Sequence, residues 1–303
     1  MVTNLKILNF GSLNLDYVYE VSHFVQPGET LSALHQTLNP GGKGLNQSVA
    51  LARAGATVFH AGCVGAGGEG LKALLRENSV RTEFLRSVPE LQGNAVIQVN
   101  PQGENCILLF GGSNRCITKE QIDEMLDGFS SGDWLLLQNE VNLVEYMVDR
   151  AADKGMNIVL NPSPFDEKLS TVDFGKLHWI LVNEIEAEQL TGCSEPEEIQ
   201  RVIHLHWPHL SVLLTMGQAG SIAWHVTGTE IETWRQAAFP VRAVDTTAAG
   251  DTFTGYFIGG IMNREPLSVC MERASKAAAI AVTRPGAAES IPYRTEVDEM
   301  KNA

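Results

Sequence analysis

Short apolar runs that stop at polar or glycine residues recur along most of the chain: "KILNFG", "TVFHAGCVG", "AVIQVN", "NCILLFGG", "DWLLLQNE", "NIVLNPSP", "WILVNE" and "SVLLTMG". Most runs of this length, bounded by turn residues, read as buried strands. Between several of them the apolar period lengthens. "GLNQSVALARAG" sets Leu45, Val49 and Ala52 on one face, and "EQIDEMLDGF" does the same with Ile122, Met125, Leu126 and Phe129. That is the spacing of amphipathic helices. Strand and helix in alternation imply right-handed crossovers, and so an α/β fold with a mostly parallel central sheet flanked by helices.

Two segments break the alternation. Between Leu91 and Thr118, "NAVIQVN" and "NCILLFGG" are joined by "PQGE", a turn signal with no helix between, which predicts a hairpin. Residues 14–38 are strand-like too, with alternating "DYVYEVSHFV" and a "QPGE" turn. Together they predict a small β-sheet lid, residues 12–39 and 93–116, standing off a main domain of residues 1–11, 40–92 and 117–303. The last part reads as helical: about Asp251 to Met262, then "SVCMERASKAAAIAVT", then a loop "RPGAAESIP".

Composition narrows the classes. A chain of 303 residues with 44% apolar and 19% charged residues is a globular protein, one α/β domain plus a small appendage. A net charge of −14 with scattered Lys and Arg argues against nucleic acid as a partner. No window approaches the 18 apolar residues of a membrane span, and the start "MVTNLKILNFGSLNLDY" carries no leader pattern. Cys63, Cys106, Cys116, Cys193 and Cys270 are odd in number, widely spaced and without a CxxC pair, which suggests reduced thiols and a cytoplasmic protein.

In an open parallel sheet, ligands bind beyond the carboxyl ends of the strands. Polar residues collect there: Asn14 and Asp16 after "ILNFGSL", Gln138, Asn139 and Glu140 after "WLLL", Asn161 after "IVL", Asn183 and Glu186 after "WILV", Thr215 and Gly217 after "SVLL". Any one of them is also an ordinary turn residue; so many clusters on one rim suggest a site.

"VDTTAAGDTFTG", Val244 to Gly255, is the sharpest signal. If "RAV" before it is strand-like and "TFTGYFIGGIM" after it is a helix, Ala248, Ala249 and Gly250 supply the free N–H groups of the first helical turn. Such a terminus attracts a phosphoryl group, and small side chains let that group reach the backbone. Asp251 then stands beside an anion hole as a base for a substrate hydroxyl. The plainer alternative is that Asp251 caps the helix.

"NPGGKGLNQSVALARAG" is the second signal. It lacks the GxxxxGK[ST] spacing of a P-loop. Its glycines allow close backbone approach to a ligand, with Lys43 and Asn46 offering hydrogen bonds, or simply start a helix. Weaker signals compete. "GAGGEG", Gly65 to Gly70, formally matches a dinucleotide fingerprint, although it is not at the first strand and no convincing ribose acid follows. "HLHWPH" places His204, His206 and His209 together, but no nearby Cys or carboxylate completes a metal site, and a surface turn is the better reading. Gly255 and Gly259 would let their helix pack tightly on the sheet.

Taken together, these stretches resemble the ribokinase-like (PfkB) family of carbohydrate kinases over nearly the whole chain. "GSLNLD" looks like the family's sugar-binding strand end, "GGKGLNQ" like its first signature and "VDTTAAGDTFTG" like its second, with Ala248 where the generic pattern has Gly. The resemblance implies that Asn14, Asp16, Gly42, Lys43, Asn46 and Glu140 hold the sugar hydroxyls, with Asp251 as the base. It implies that Asn183 and Glu186, in "NEIE", organise Mg²⁺ and phosphate through water, and that Thr215, Gly217, Gly220, Gly250 and Ser275 lie along ATP. Ser275 stands where relatives often carry Asn. Asp245, Thr247, Ala281, Arg284, Gly286 and Ser290 would form a site for a monovalent cation, K⁺ by resemblance. The implied activity is ATP-dependent phosphorylation of the primary hydroxyl of a pentose, D-ribose first, by a homodimer paired through its lid. Alternative acceptors are deoxyribose, fructose or another ketohexose, and a nucleoside. Different classes are a non-catalytic sugar or nucleotide sensor, and a nicotinamide oxidoreductase resting on "GAGGEG".

Overall fold

In the computed structural model, which describes residues 5–300, the alternating runs assemble into a nine-stranded sheet with a separate four-stranded sheet beside it. The strands are β1 (Lys6–Phe10), β2 (Asn14–Glu20), β3 (His35–Gly41), β4 (Thr57–Ala66), β5 (Arg81–Leu91), β6 (Asn94–Val99) and β7 (Asn105–Phe110). They continue with β8 (Trp134–Gln138), β9 (Asn157–Asn161), β10 (Trp179–Asn183), β11 (Ser211–Thr215), β12 (Ser221–Thr227) and β13 (Glu230–Gln236). The helices are α1 (Lys43–Arg53), α2 (Glu69–Glu77), α3 (Lys119–Leu126), α4 (Val144–Asp153), α5 (Glu184–Thr191), α6 (Pro196–His206), α7 (Ala249–Met262), α8 (Leu267–Ala281) and α9 (Arg294–Glu299).

The large sheet runs β13-β12-β11-β10-β9-β8-β1-β4-β5, parallel from β11 to β5. Alternate residues of each strand face opposite layers. Leu8, Phe10, Leu135, Leu137, Ile180 and Val182 pack on α3 to α6 through Ile122, Met125, Met147, Val148, Ala187 and Ile203. Ile7, Leu136, Trp179 and Leu181 pack on α1, α2, α7 and α8 through Leu45, Val49, Leu71, Tyr256, Phe257 and Met271. Burial on both faces is why these strands appear as continuous apolar runs.

The lid sheet has the order β3-β2-β6-β7, with the expected β6–β7 hairpin and the β2–β6 pair parallel. The "QPGE" turn forms, Glu29 N–H donating to the Gln26 carbonyl at 3.0 Å, but the strand before it stops at Glu20 and its partner runs on to Gly41. Three strands of the main sheet lie outside the runs quoted above: β5, and the antiparallel pair β12–β13. "RAV" is not a strand; its last residue is strapped to α8 by the Val244 N–H on the Val282 carbonyl, 2.7 Å. Nor do Gly255 and Gly259 pack on the sheet. A Cβ on Gly255 would lie 2.4 Å from Ala50 Cβ and 2.7 Å from Leu51 N, so these glycines let α7 close on α1. Among the described residues no helix is long and apolar enough to cross a membrane.

Candidate active site

Since β1 and β8 to β11 are parallel neighbours, their carboxyl ends open on one edge. The residues after β1 form a loop on which α1 is seated. Leu45 N–H donates to the Ser12 carbonyl (3.0 Å), and Ser12 Oγ accepts from the Gly44 N–H at 3.3 Å while donating to Glu140 Oε2. A Cβ on Gly44 would lie 2.4 Å from Gly11 C, and one on Gly41 would run into the Asp16 carboxylate. These glycines therefore admit the protein's own loop and a carboxylate. Gly42, at φ 97°, starts the helix from a conformation that favours glycine.

Around this seat four carboxylates, Asp16, Glu140, Asp251 and Glu186, act with one ammonium, Lys43. Burial, then the charges of Glu140 and Asp251, pushes the Asp16 carboxyl up to about 7. Burial likewise raises Glu140, against the pull of Lys43 and the Ser12 hydroxyl. Burial works against the Lys43 charge, but Asp251, Glu140 and Glu186 together hold its ammonium above the usual range. Glu140 Oε2 also accepts from the Lys43 N–H, 3.2 Å. Asn14 is positioned by a residue absent from the sequence reading: Asn114 Nδ2 donates to Asn14 Oδ1 at 2.7 Å, and Asn114 also brackets Leu13 through its N–H and carbonyl.

Asp251 sits in the first turn of α7, turned toward α1. Its Oδ2 accepts from Asn46 Nδ2 at 3.0 Å and its Oδ1 from Gln47 Nε2 at 2.8 Å. It does not act as the N-cap: Ala248 does, at φ 59°, with no side-chain cap. Of the three expected amide donors, Ala249 is already engaged, its N–H donating to the Thr246 carbonyl at 3.2 Å. Among the described residues the N–H groups of Ala248 and Gly250 have no protein partner. Both begin a helix, where four amides are left without intrahelical acceptors.

Two cavities meet at this helix start. One, about 570 Å³, is walled by Phe239, Pro240, Val241, Ala278 and Val282, with Thr215, Gly217, Gly220 and Ser275 along it. The other, about 250 Å³, holds Lys43, Asn161, Asn183, Glu186 and Asp251. Thr215, Thr246, Ala249 and Gly250 line both. An apolar slot thus opens into a charged chamber across the N-terminus of α7, a geometry suited to a nucleotide whose phosphates reach the amides. Asn14, Asp16, Gly42, Asn46 and Glu140 lie beyond this chamber, around Lys43.

Asn183 and Glu186 form a capping box at α5: Glu186 N–H donates to Asn183 Oδ1 (2.9 Å) and Asn183 N–H to Glu186 Oε2 (3.0 Å). That uses one Glu186 oxygen and leaves the other for the chamber. A cleft carboxylate with an oxygen outside the capping box suits Mg²⁺, which keeps most of its waters beside phosphates. Asp245 bridges two loops, accepting from the Thr247 N–H (2.9 Å) and the Gly286 N–H (3.0 Å). The same loops carry Ser290, whose hydroxyl donates to the Ala287 carbonyl, Arg284, paired with Glu296, and the end of α8 at Ala281. The residues that the resemblance assigns to a monovalent cation thus lie on two loops joined through the Asp245 carboxylate.

Other candidates resolve as structure. The "GAGGEG" loop is filled by Gln92, whose Oε1 accepts from the Gly65 N–H at 2.9 Å and stands where a Gly68 side chain would go. His204 and His206 stand in the last turn of α6 and not in a surface turn, and His204 Nε2 lies 3.0 Å from the carbonyl of Leu210 beyond the helix. Asn139 turns away from the rim to donate to Pro164 O and Asp166 Oδ1.

Comparison with known proteins points the same way. The family model of pfkB family carbohydrate kinases matches residues 4–294. A ribokinase of Haemophilus influenzae is 36% identical over 302 residues, covering 95% of this chain and 96% of that protein. The structure of the Cryptococcus neoformans var. grubii ribokinase in complex with ADP superposes with a TM-score of 0.84 at 33% identity, over 97% of this chain and 99% of that one. That of Arabidopsis thaliana ribokinase complexed with ribose and ATP gives 0.82 at 27% identity, over 98% of each.

Proposed function

The chain belongs to the pfkB family of carbohydrate kinases and is an ATP-dependent phosphotransferase, and from that premise we propose that it transfers the γ-phosphoryl group of ATP to the 5-hydroxyl of D-ribose. The observation that carries this reading is the place of Asp251, in the charged cavity and next in the chain to Gly250, which lines both cavities, with both carboxylate oxygens held by amides. Likeness to ribokinases over the full length supports the acceptor.

The base of ATP enters the slot between Phe239, Pro240, Val241 and Ala278, and its phosphates reach the start of α7. The sugar lies among Asn14, Asp16, Gly42, Lys43, Asn46 and Glu140, carboxylates accepting from its hydroxyls and the ammonium and amide donating to them. Asp251 takes the proton of the primary hydroxyl as that oxygen bonds to the γ-phosphorus and the bond to the β–γ bridging oxygen breaks, releasing ADP. The free N–H groups of Ala248 and Gly250 and the helix dipole face the migrating charge. Glu186 and Asn183 would hold Mg²⁺ through water, which offsets phosphate charge when bound. Asp245 with Thr247, Ala281, Arg284, Gly286 and Ser290 would hold a monovalent cation, K⁺, which adds positive potential behind the helix start. A reaction fed by ATP suits the cytoplasm.

In a coupled ADP-release assay over D-ribose, deoxyribose, fructose and nucleosides, turnover is expected to be fastest on D-ribose. No turnover with any pentose would overturn the acceptor. With Asp16 titrating at about 7, its carboxylate replaces a carboxylic acid as pH rises through that value, so kcat/KM for the sugar should climb there. Asp16→Asn should flatten the climb.

The lid supports pairing with a second copy. β7 is a free sheet edge, and Ile107, Leu108, Leu109 and Phe110 are all exposed, Leu108 to 71%. An open apolar edge of this kind calls for a partner. Sedimentation is expected at twice 33.0 kDa, with Leu108→Asp at the monomer mass; a monomeric wild type would refute the dimer.

A further inference from the structure

Beneath the site runs a line of fully buried side chains that the reaction as described does not use. Gln47 Nε2 donates to Asp251 Oδ1 at 2.8 Å. Gln138 Nε2 donates to Gln47 Oε1 (2.7 Å) and to Asn9 Oδ1 (2.9 Å). Asn9 Nδ2 donates to Ser48 Oγ and to the Gly44 carbonyl, each at 2.8 Å. Ser48 Oγ lies 2.8 Å from His60 Nδ1, and His60 Nε2 lies 3.2 Å from the Gly11 carbonyl. Asn9, Gln47, Ser48, His60 and Gln138 have no exposed surface.

The direction of every bond in this line is determined. The Gly11 carbonyl only accepts, so His60 carries its proton on Nε2 and its Nδ1 accepts from Ser48. Burial keeps the ring neutral, with its pKa down at about 4. The Ser48 oxygen is then an acceptor for Asn9, whose amide is also pinned by the Gly44 carbonyl. That turns the Asn9 oxygen toward Gln138 and the Gln138 NH₂ toward Gln47. Gln138 Oε1 is left without a partner among the described residues, because the reversed amide would face two oxygens. With its own oxygen occupied, Gln47 can only offer Asp251 an NH₂.

We propose that this one-way chain is a positioning device in which Gln47 is an obligatory donor that orients the Asp251 carboxylate toward the substrate hydroxyl, and Gln138 and Asn9 fix which end of Gln47 faces it. The proposal rests on Asp251 being the base. A purely structural line would stabilise the fold without a specific link to turnover. A positioning line must act on kcat, and Gln138 must act on it only through Gln47.

The test is a double-mutant cycle of Gln47→Leu and Gln138→Leu, with sugar KM, kcat and thermal unfolding measured for each. Gln47→Leu is expected to lower kcat by roughly 10- to 100-fold, the weight of one hydrogen bond to a charged group, with sugar KM within about threefold. Gln138→Leu should lower kcat less, and the double variant should be no slower than Gln47→Leu alone. Multiplied effects in the double variant, or losses confined to thermal stability or KM, would overturn the proposal. Should Gln47→Leu not fold, Gln47→Met takes its place in the cycle. Asp251→Asn, assayed alongside, separates the two ideas. Wild-type turnover by Asp251→Asn removes the base itself, whereas an inactive Asp251→Asn with wild-type kcat in the Gln47 variants removes only the positioning chain.

Discussion

Asp251→Asn is expected to reduce turnover by roughly 10²- to 10⁴-fold, the contribution of a positioned general base, while sugar and ATP still bind within a few-fold of wild type. The substitution keeps the side chain's volume and one acceptor oxygen. It removes the basic oxygen and sets an NH₂ against one of the two amides that now donate to the carboxylate, Asn46 or Gln47. One buried donor therefore loses its acceptor, at a cost of about 1–3 kcal/mol in stability, which leaves the protein folded. Calorimetric binding measured beside single-turnover rates distinguishes the outcomes. Lost binding with unchanged chemistry would mean that Asp251 holds the sugar and another group takes the proton.

The second large effect concerns how α1 is seated. Gly44→Ala places a Cβ 2.4 Å from Gly11 C and Ser12 N, backbone atoms that cannot rotate aside. Either α1 or the loop after β1 must shift, and with it the bonds from Leu45 N–H to Ser12 O and from Asn9 Nδ2 to Gly44 O. Overpacking of this kind costs about 1–3 kcal/mol or more, and Lys43, Asn46 and Gln47 all ride on the displaced helix. A lower melting temperature and a fall in kcat/KM beyond about tenfold are expected together, given the sensitivity of transfer to misplacement of about 1 Å. Gly70→Ala is the control. A Cβ there meets nothing within 4 Å, and in helix α2 it should be neutral or stabilising by about 0.5–1 kcal/mol. Unchanged melting for Gly44→Ala would show that the loop yields and that the seat of α1 does not need a glycine here.

The central strands were legible because β1 and β8 to β11 are buried on both faces and so are mostly apolar, Asn9 in β1 being a buried polar exception. β13, "EIETWRQ", is almost wholly exposed and carries no periodic signal, and β3, "HQTLNPG", is so polar that the strand-like stretch reads only to residue 38, short of Gly41. The rim also reads from sequence, since acids and amides stand at or just after the ends of β1, β8, β9 and β10. Which way each one turns does not. Gln138 and Asn139 are neighbours, yet one lies in the buried line beneath Asp251 and the other braces Pro164 and Asp166. The partners that give Gln47, Gln138 and Asn114 their places lie 204, 91 and 100 residues away, beyond any local pattern. The helix start of α7 was recognisable from its small residues, but the use of the Ala249 N–H by Thr246 depends on turn geometry that composition does not carry.

The most direct measurement is a crystal structure of the protein with D-ribose and a non-hydrolysable ATP analogue. The sugar's 5-oxygen is expected about 2.6–3.2 Å from an Asp251 carboxylate oxygen, with the γ-phosphate against the free amides of α7. A sugar bound with no primary hydroxyl near Asp251, or phosphates held away from that helix start, would contradict the account.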